Sequence, residues 1–178
     1  MRPWNVLVTA LEGRRDALRA ALRPLGAFAG SGYRNVLVGL VPDVPAFLEQ
    51  VHEELARGTL LRSALARVVP VELHAELDPA DPAAALAAAA EPLLERLGTG
   101  TFYVRVERRG LKGTVDSAAL EREVGTRLWR ALEARGCVPR VAFRDPDHVL
   151  AIETLGRHAG LGLLSRALRL RYPFVRVP

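Results

Sequence analysis

The sequence predicts an α/β protein built from two units in succession, and three observations carry that prediction. Segments with a two-residue apolar period recur between segments with helical spacing; Phe102, Val104 and Val106, set against Tyr103, Arg105 and Glu107, are the clearest case. The order through residues 1–78 is strand, helix, strand, strand, helix, strand. A junction rich in Pro and Asp, Asp78-Pro79-Ala80-Asp81-Pro82, then opens a second run of elements with a different charge balance.

In the first unit, Trp4 to Leu11 reads as a buried strand, and Ala17, Leu18, Ala21, Leu22 and Leu25 give a helix to about Arg23, closed by Pro24 and Gly26. Ala27 to Gly30 is a short strand, turned by Ser31-Gly32 into a second, Asn35 to Val41. Pro42-Asp43-Val44-Pro45 starts a helix with Phe47, Leu48, Val51 and Leu55 on its apolar face, ended by Gly58. Leu60 to Arg67 is ambiguous, and Val68 to Leu77 alternates as an edge strand, because Pro70 lacks a ladder donor. This order is the split βαβ of a ferredoxin-like unit, expected over 1–78.

The second unit, expected over 79–178, begins with an alanine-rich linking helix over 82–97, with Asp81 as its cap. Thr101 to Glu107 is a half-buried strand running into the basic loop Arg108-Arg109-Gly110-Leu111-Lys112-Gly113. Asp116 or Ser117 caps a helix to Arg135, whose core face is Leu120, Val124, Leu128, Ala131 and Leu132. Val138 to Phe143 and His148 to Leu155 are strands about the turn Arg144-Asp145-Pro146-Asp147. Gly156, Gly160 and Gly162 mark a bend before a last helix from Leu163 to about Leu170.

With 178 residues, 49% of them hydrophobic, the chain can bury a sizeable core. No apolar run approaches the roughly 18–20 residues of a membrane span, and the start, MRPWNVLVTALEG, lacks the pattern of a signal peptide. Lone Cys137 excludes an internal disulfide and a cysteine metal cluster. A cytoplasmic protein is expected.

Charge is distributed unevenly. Residues 1–80 carry 9 Arg and 9 acids, whereas 81–178 carry 16 basic residues against 11 acids, so the whole net charge of +5 lies in the second part. From Gly156 to Pro178 there are 5 Arg and no acid. Basic charge confined to one part implies an anionic partner there, nucleic acid first.

No constellation points to bond-making chemistry. His52, His74, His148 and His158 are scattered without metal-ligand spacing. Asp145 and Asp147 flank Pro146 in a turn, and Glu153 is expected to face solvent or pair with an Arg. GRHAGLG (156–162) matches neither the dinucleotide fingerprint nor a P-loop, which leaves an ordinary turn or a backbone contact to phosphate. No catalytic residue, metal or cofactor is expected.

The candidate contacts are therefore the acid-poor clusters: Arg105, Arg108, Arg109 and Lys112, then Arg157, Arg166, Arg169, Arg171 and Arg176. Arginine suits phosphate because its planar fork grips two oxygens. Tyr33 and Arg34, at the hairpin turn of the first unit, add one stacking and one ionic candidate, although Tyr33 could equally pack on its own sheet. Arg122, Arg127, Arg130 and Arg135 interleave with acids and read as a self-paired helix face.

FYVRVERRGLKG (102–113), DPDHVLAIETLG (145–156) and AGLGLLSRALRLRYPFVRV (159–177) resemble the THUMP domain, and most of all its stand-alone form in the adaptor of tRNA cytidine acetylation. THUMP domains are preceded by a small ferredoxin-like unit, so the resemblance spans the chain. It implies binding of the tRNA acceptor arm and 3′ end, with the nucleotide delivered to a separate tRNA-modifying enzyme. By position, Arg105, Arg108, Arg109 and Lys112 match the basic strand-and-loop segment of that family, and Arg166, Arg169 and Arg171 its basic terminal helix. The expectation is a non-catalytic tRNA-binding specificity subunit. A small enzyme completed by a partner and a protein-interaction module without an RNA role stand as alternatives.

Overall fold

Val6, Leu7 and Val8 are fully buried, and around them the first of two sheets assembles. The computed structural model describes residues 3–113 and 115–178. It divides into one unit formed by the chain up to Val71 together with Arg169–Arg176, and a second formed by Glu72–Leu168 with the last two residues.

The first unit contains β1 (Val6–Ala10), α1 (Arg15–Leu22), β2 (Ala27–Gly30), β3 (Val36–Leu40), α2 (Val44–Ala56) and β4 (Leu65–Pro70). Its strands are ordered β2-β3-β1-β4, all antiparallel, as the ferredoxin-like reading requires. Asp43 caps α2 by accepting the Ala46 N–H at 2.7 Å. The ambiguous stretch after Gly58 is a single 3₁₀ turn, Leu60–Ser63. Pro70 lies on edge strand β4, where its missing N–H breaks no ladder.

Two boundaries differ from expectation. The alternation from Val68 to Leu77 is not one strand: the Val71 N–H donates to Asn5 O in the first unit, and the next amide, Glu72, donates to Leu161 O in the second. The break falls between Val71 and Glu72, beyond the end of β4, and β5 (Leu73–Glu76) joins the other ladder. The segment Arg169–Arg176, expected in the second unit, belongs to the first. There the Val68 N–H donates to Phe174 O, and Val175 forms a parallel bridge with Val68 on the outer side of β4.

The second unit continues with α3 (Pro82–Ala89), α4 (Leu94–Leu97), β6 (Thr101–Glu107), α5 (Ser117–Ala134), β7 (Arg140–Val141), β8 (His148–Leu155), β9 (His158–Ser165) and α6 (Arg166–Arg171), the last of which crosses into the first unit. The single linking helix expected over 82–97 is divided by a 3₁₀ turn at Glu91–Leu93, where Pro92 cannot donate to a helical ladder. Asp81 caps α3 and Asp116 caps α5. The sheet order is β5-β9-β8-β6-β7, with β6 parallel to β7 and β8 and the remaining pairs antiparallel. Phe102, Val104 and Val106 of β6 share a core with Leu120, Val124, Leu128 and Leu132 of α5 and Leu86 of α3.

The strand expected over Val138–Phe143 is only two residues long, and the glycine-rich bend of 156–162 is mostly β9. Gly160 and Gly162 lie within that strand, paired with Glu153 and Ala151. The turn is confined to Gly156-Arg157, between the paired residues Leu155 and His158, with Gly156 at φ 64°.

Candidate nucleic-acid interface

The loop after β6 is held by two different anchors. Leu111 is in the left-handed region, φ 51°, between Gly110 at 85° and Gly113 at 81°, a conformation uncommon for a residue with a Cβ. Its side chain packs against the core of the second unit, and its carbonyl accepts the Val115 N–H at 3.1 Å. Apolar contact thus fixes the bend.

Arg109 is the second anchor. Its side chain is 11% exposed and pairs through Nη1 with Glu153, which is 1% exposed. The Arg109 N–H donates to Thr154 Oγ1 at 2.9 Å, and its carbonyl accepts from the Thr154 hydroxyl and the Gly156 N–H. Of the two placements expected for Glu153, solvent or an Arg partner, the structure shows the second. Arg109, expected among the phosphate contacts, is instead committed to an internal ion pair, because buried Glu153 needs a cation.

On either side of these anchors the loop presents Arg108 and Lys112. Arg108 is half-buried, and its Nη1 donates to Gly110 O at 2.7 Å, which braces the turn. Lys112 is exposed. The hairpin turn at Gly156-Arg157 adjoins them through the Gly156–Arg109 hydrogen bond and brings exposed Arg157 to the same end of the sheet. Arg157 is held loosely, its Nε 3.9 Å from Glu76.

The remaining candidates separate. Arg105 turns toward α5, Nη1 3.4 Å from Glu121 Oε1, and the same oxygen accepts the Val106 N–H at 2.8 Å. Arg166 pairs with Asp145 at the opposite end of the β8–β9 hairpin. The hairpin's eight paired positions, a ladder roughly 23 Å long at about 3.3 Å per residue, separate it from Arg157. Adjacency in an acid-poor sequence therefore did not mean adjacency in space.

Arg169, Arg171 and Arg176 belong to the first unit. Arg171 pairs with Glu49 at 2.8 Å and lies 5.5 Å from the centre of the Tyr172 ring, and the hydrogen bond to Tyr172 and the Glu49 partner raise its pKa. Arg176 donates to Ala66 O, and Arg169 is half-buried. At the first unit's hairpin, Tyr33 is half-buried and its N–H donates to Ser31 Oγ, while exposed Arg34 pairs with Glu12.

Sequence reasoning passed over one feature, a cavity of about 410 Å³ between β6 and α5, lined by Tyr103, Val104, Gly125, Trp129, Val141 and Phe143 among others. Its one sequence signal was a glycine in the interior of a long helix.

Solved structures share this architecture. TrmN from Thermus thermophilus superposes with a TM-score of 0.61 at 25% identity, over 89% of this chain and 44% of that one. PH1313 from Pyrococcus horikoshii Ot3 gives 0.58 at 13% identity, over 89% of this chain and 54% of that one. A 4-thiouridine synthetase in complex with RNA and bound ATP gives 0.58 at 15% identity, over 90% and 41%. The chain thus spans about half the length of these proteins. The two matches at lower identity show the fold alone. No protein-family model and no curated protein matches the chain.

Proposed function

We propose that the protein binds structured RNA, tRNA foremost, as a non-catalytic specificity subunit that presents a nucleotide to a separate modifying enzyme. The observation that carries this reading is the loop of the second unit. Arg109 and Leu111 hold its backbone from inside, and Arg108 and Lys112 are displayed beside Arg157. Cations carried on an anchored loop backbone are suited to a polyanion with a fixed phosphate spacing, since little loop freedom remains to be lost on binding.

The THUMP resemblance supports tRNA over other RNA, and the likeness in fold to a thiouridine synthetase crystallised with RNA supports an RNA partner. Contacts to phosphate make recognition a matter of shape and of the single-stranded 3′ end rather than of a base code. The test is a binding titration of the purified protein with unmodified tRNA, with a duplex DNA of equal charge as competitor. Saturable tRNA binding that resists the DNA, without any change in the RNA after incubation, is expected. Covalent modification of tRNA by the protein alone would instead make it an enzyme.

A further inference from the structure

The cavity between β6 and α5 has the character of a groove at an open sheet edge. Strand β7 covers β6 only at Thr101 and Phe102, and the Ala142 N–H makes one further bond, to Phe102 O. Backbone groups in a strand alternate sides, so the N–H and C=O of Val104 point to the same edge beyond the end of β7. At Val106 the Glu121 carboxylate takes the next N–H and closes the edge. A gap one residue pair long remains, flanked by apolar walls.

Those walls are unusually exposed. Phe143 is 80% and Val141 44% exposed, and Phe143 touches Tyr103 with ring centroids 6.0 Å apart and planes at 48°. Half-buried Trp129 stands opposite on α5.

The groove floor supplies a second, independent observation. Gly125 lies in the interior of the 18-residue helix α5, where glycine costs roughly 1 kcal/mol relative to alanine. Neither geometry nor crowding requires it. Its φ is not in the left-handed region, and an added Cβ would meet only Val104 Cγ2, at 3.8 Å, an ordinary contact. What the missing side chain provides is room in the groove.

Charge selects the occupant. Arg105, Glu121 and Arg122 line the groove, and Arg140 and Arg144 are exposed on the segment that carries Val141 and Phe143. The nearby acids Glu121 and Asp145 are paired with Arg105 and Arg166. We propose that this groove docks an extended acidic segment of a partner protein. One large apolar side chain of the segment fills the space over Gly125, its backbone pairs with Val104, and flanking carboxylates meet Arg122 and the exposed Arg140 and Arg144. Strand addition of this kind takes affinity from main-chain bonds and specificity from a side-chain pocket. A stacked RNA base fits less well, because Tyr103 and Phe143 are tilted against each other and leave no parallel slot. The proposal goes beyond the RNA reading and uses none of Arg108, Lys112 or Arg157.

The probe is a fluorescein-labelled, end-blocked hexapeptide alternating Glu with Leu and Phe, followed by anisotropy beside a twin in which Lys replaces Glu. Saturable binding of the acidic peptide alone is expected. It should weaken about tenfold or more in Gly125→Leu and in Arg122→Glu, a change of at least about 1.4 kcal/mol. Gly125→Leu should melt no lower than the parent and bind tRNA unchanged. Four results would overturn the proposal: no saturable binding, equal binding of the Lys twin, unaltered binding in Gly125→Leu, or loss of tRNA or oligoadenylate binding in that variant. Self-association that Gly125→Leu abolishes would assign the groove to a second copy and overturn it too.

Discussion

Arg109 and Glu153 form an ion pair inside the second unit, with side-chain exposures of 11% and 1%, and the backbone of Arg109 is bonded on both sides to Thr154 and Gly156. One residue thus ties the basic loop to the β8–β9 turn. Removing Arg109 takes the cation from buried Glu153, and removing Glu153 leaves Arg109 the longer contact to Glu107 at 3.7 Å; breaking such a buried pair costs about 3–5 kcal/mol. Arg109→Met and Glu153→Leu should each lower stability by that order in urea denaturation. The double variant should recover much of the loss, because no buried charge is left unpaired. Additive losses would show that the pair does not couple.

The same variants separate anchoring from contact. In the double variant, the salt dependence of tRNA binding should keep its parental slope, since Arg109 neutralises Glu153 and not a phosphate. A shallower slope in filter-binding measurements would return Arg109 to the contact set.

Glycines give a pair of opposite expectations. Gly125→Ala should stabilise the protein by up to about 1 kcal/mol, through helix propensity with the new methyl in ordinary contact. Gly39→Ala should destabilise it by about 1–3 kcal/mol, because its Cβ would overlap the Phe28 ring, whose centroid lies 5.7 Å from that of Phe47. Thermal melts of the two variants check both signs.

Acid should loosen the return of the C-terminal segment to α2. Glu49 accepts from the Tyr172 hydroxyl at 2.7 Å and from Arg171 at 2.8 Å, and these bonds, the first above all, hold its carboxyl below the ordinary 4.5. A carboxylate depressed in the folded state stabilises it above the unfolded value, and that contribution is lost as pH falls through the lower, folded one. Glu49→Gln should therefore be less stable than the parent at pH 7. The gap should narrow as pH drops well below 4.5, as read from denaturation midpoints.

Much of this architecture was legible in the sequence because periodicity and punctuation agree. Asp43, Asp81 and Asp116 cap the helices their positions announce, and the strand-helix order produces the β2-β3-β1-β4 sheet. Legibility failed where partners lie far along the chain. Nothing near Glu72 shows that its amide goes to Leu161, or near Arg171 that its partner is Glu49. In β9, glycines that read as a bend pair across a hairpin. Charge counting found the basic loop but could not tell Lys112, which faces solvent, from Arg109, which faces Glu153. The groove escaped because Trp129 lies off the apolar period of its helix.

Arg108, Lys112 and Arg157 are the residues proposed to grip RNA phosphate. The most direct measurement is a salt titration of tRNA affinity for the parent and for Arg108→Glu/Lys112→Glu/Arg157→Glu, with circular dichroism to verify the fold. An intact fold and binding weakened by orders of magnitude are expected. Whatever binding survives should have a salt slope shallower by about 2–3, near 0.7–0.9 for each lost phosphate contact. Unchanged affinity and slope in a folded triple variant would contradict that role.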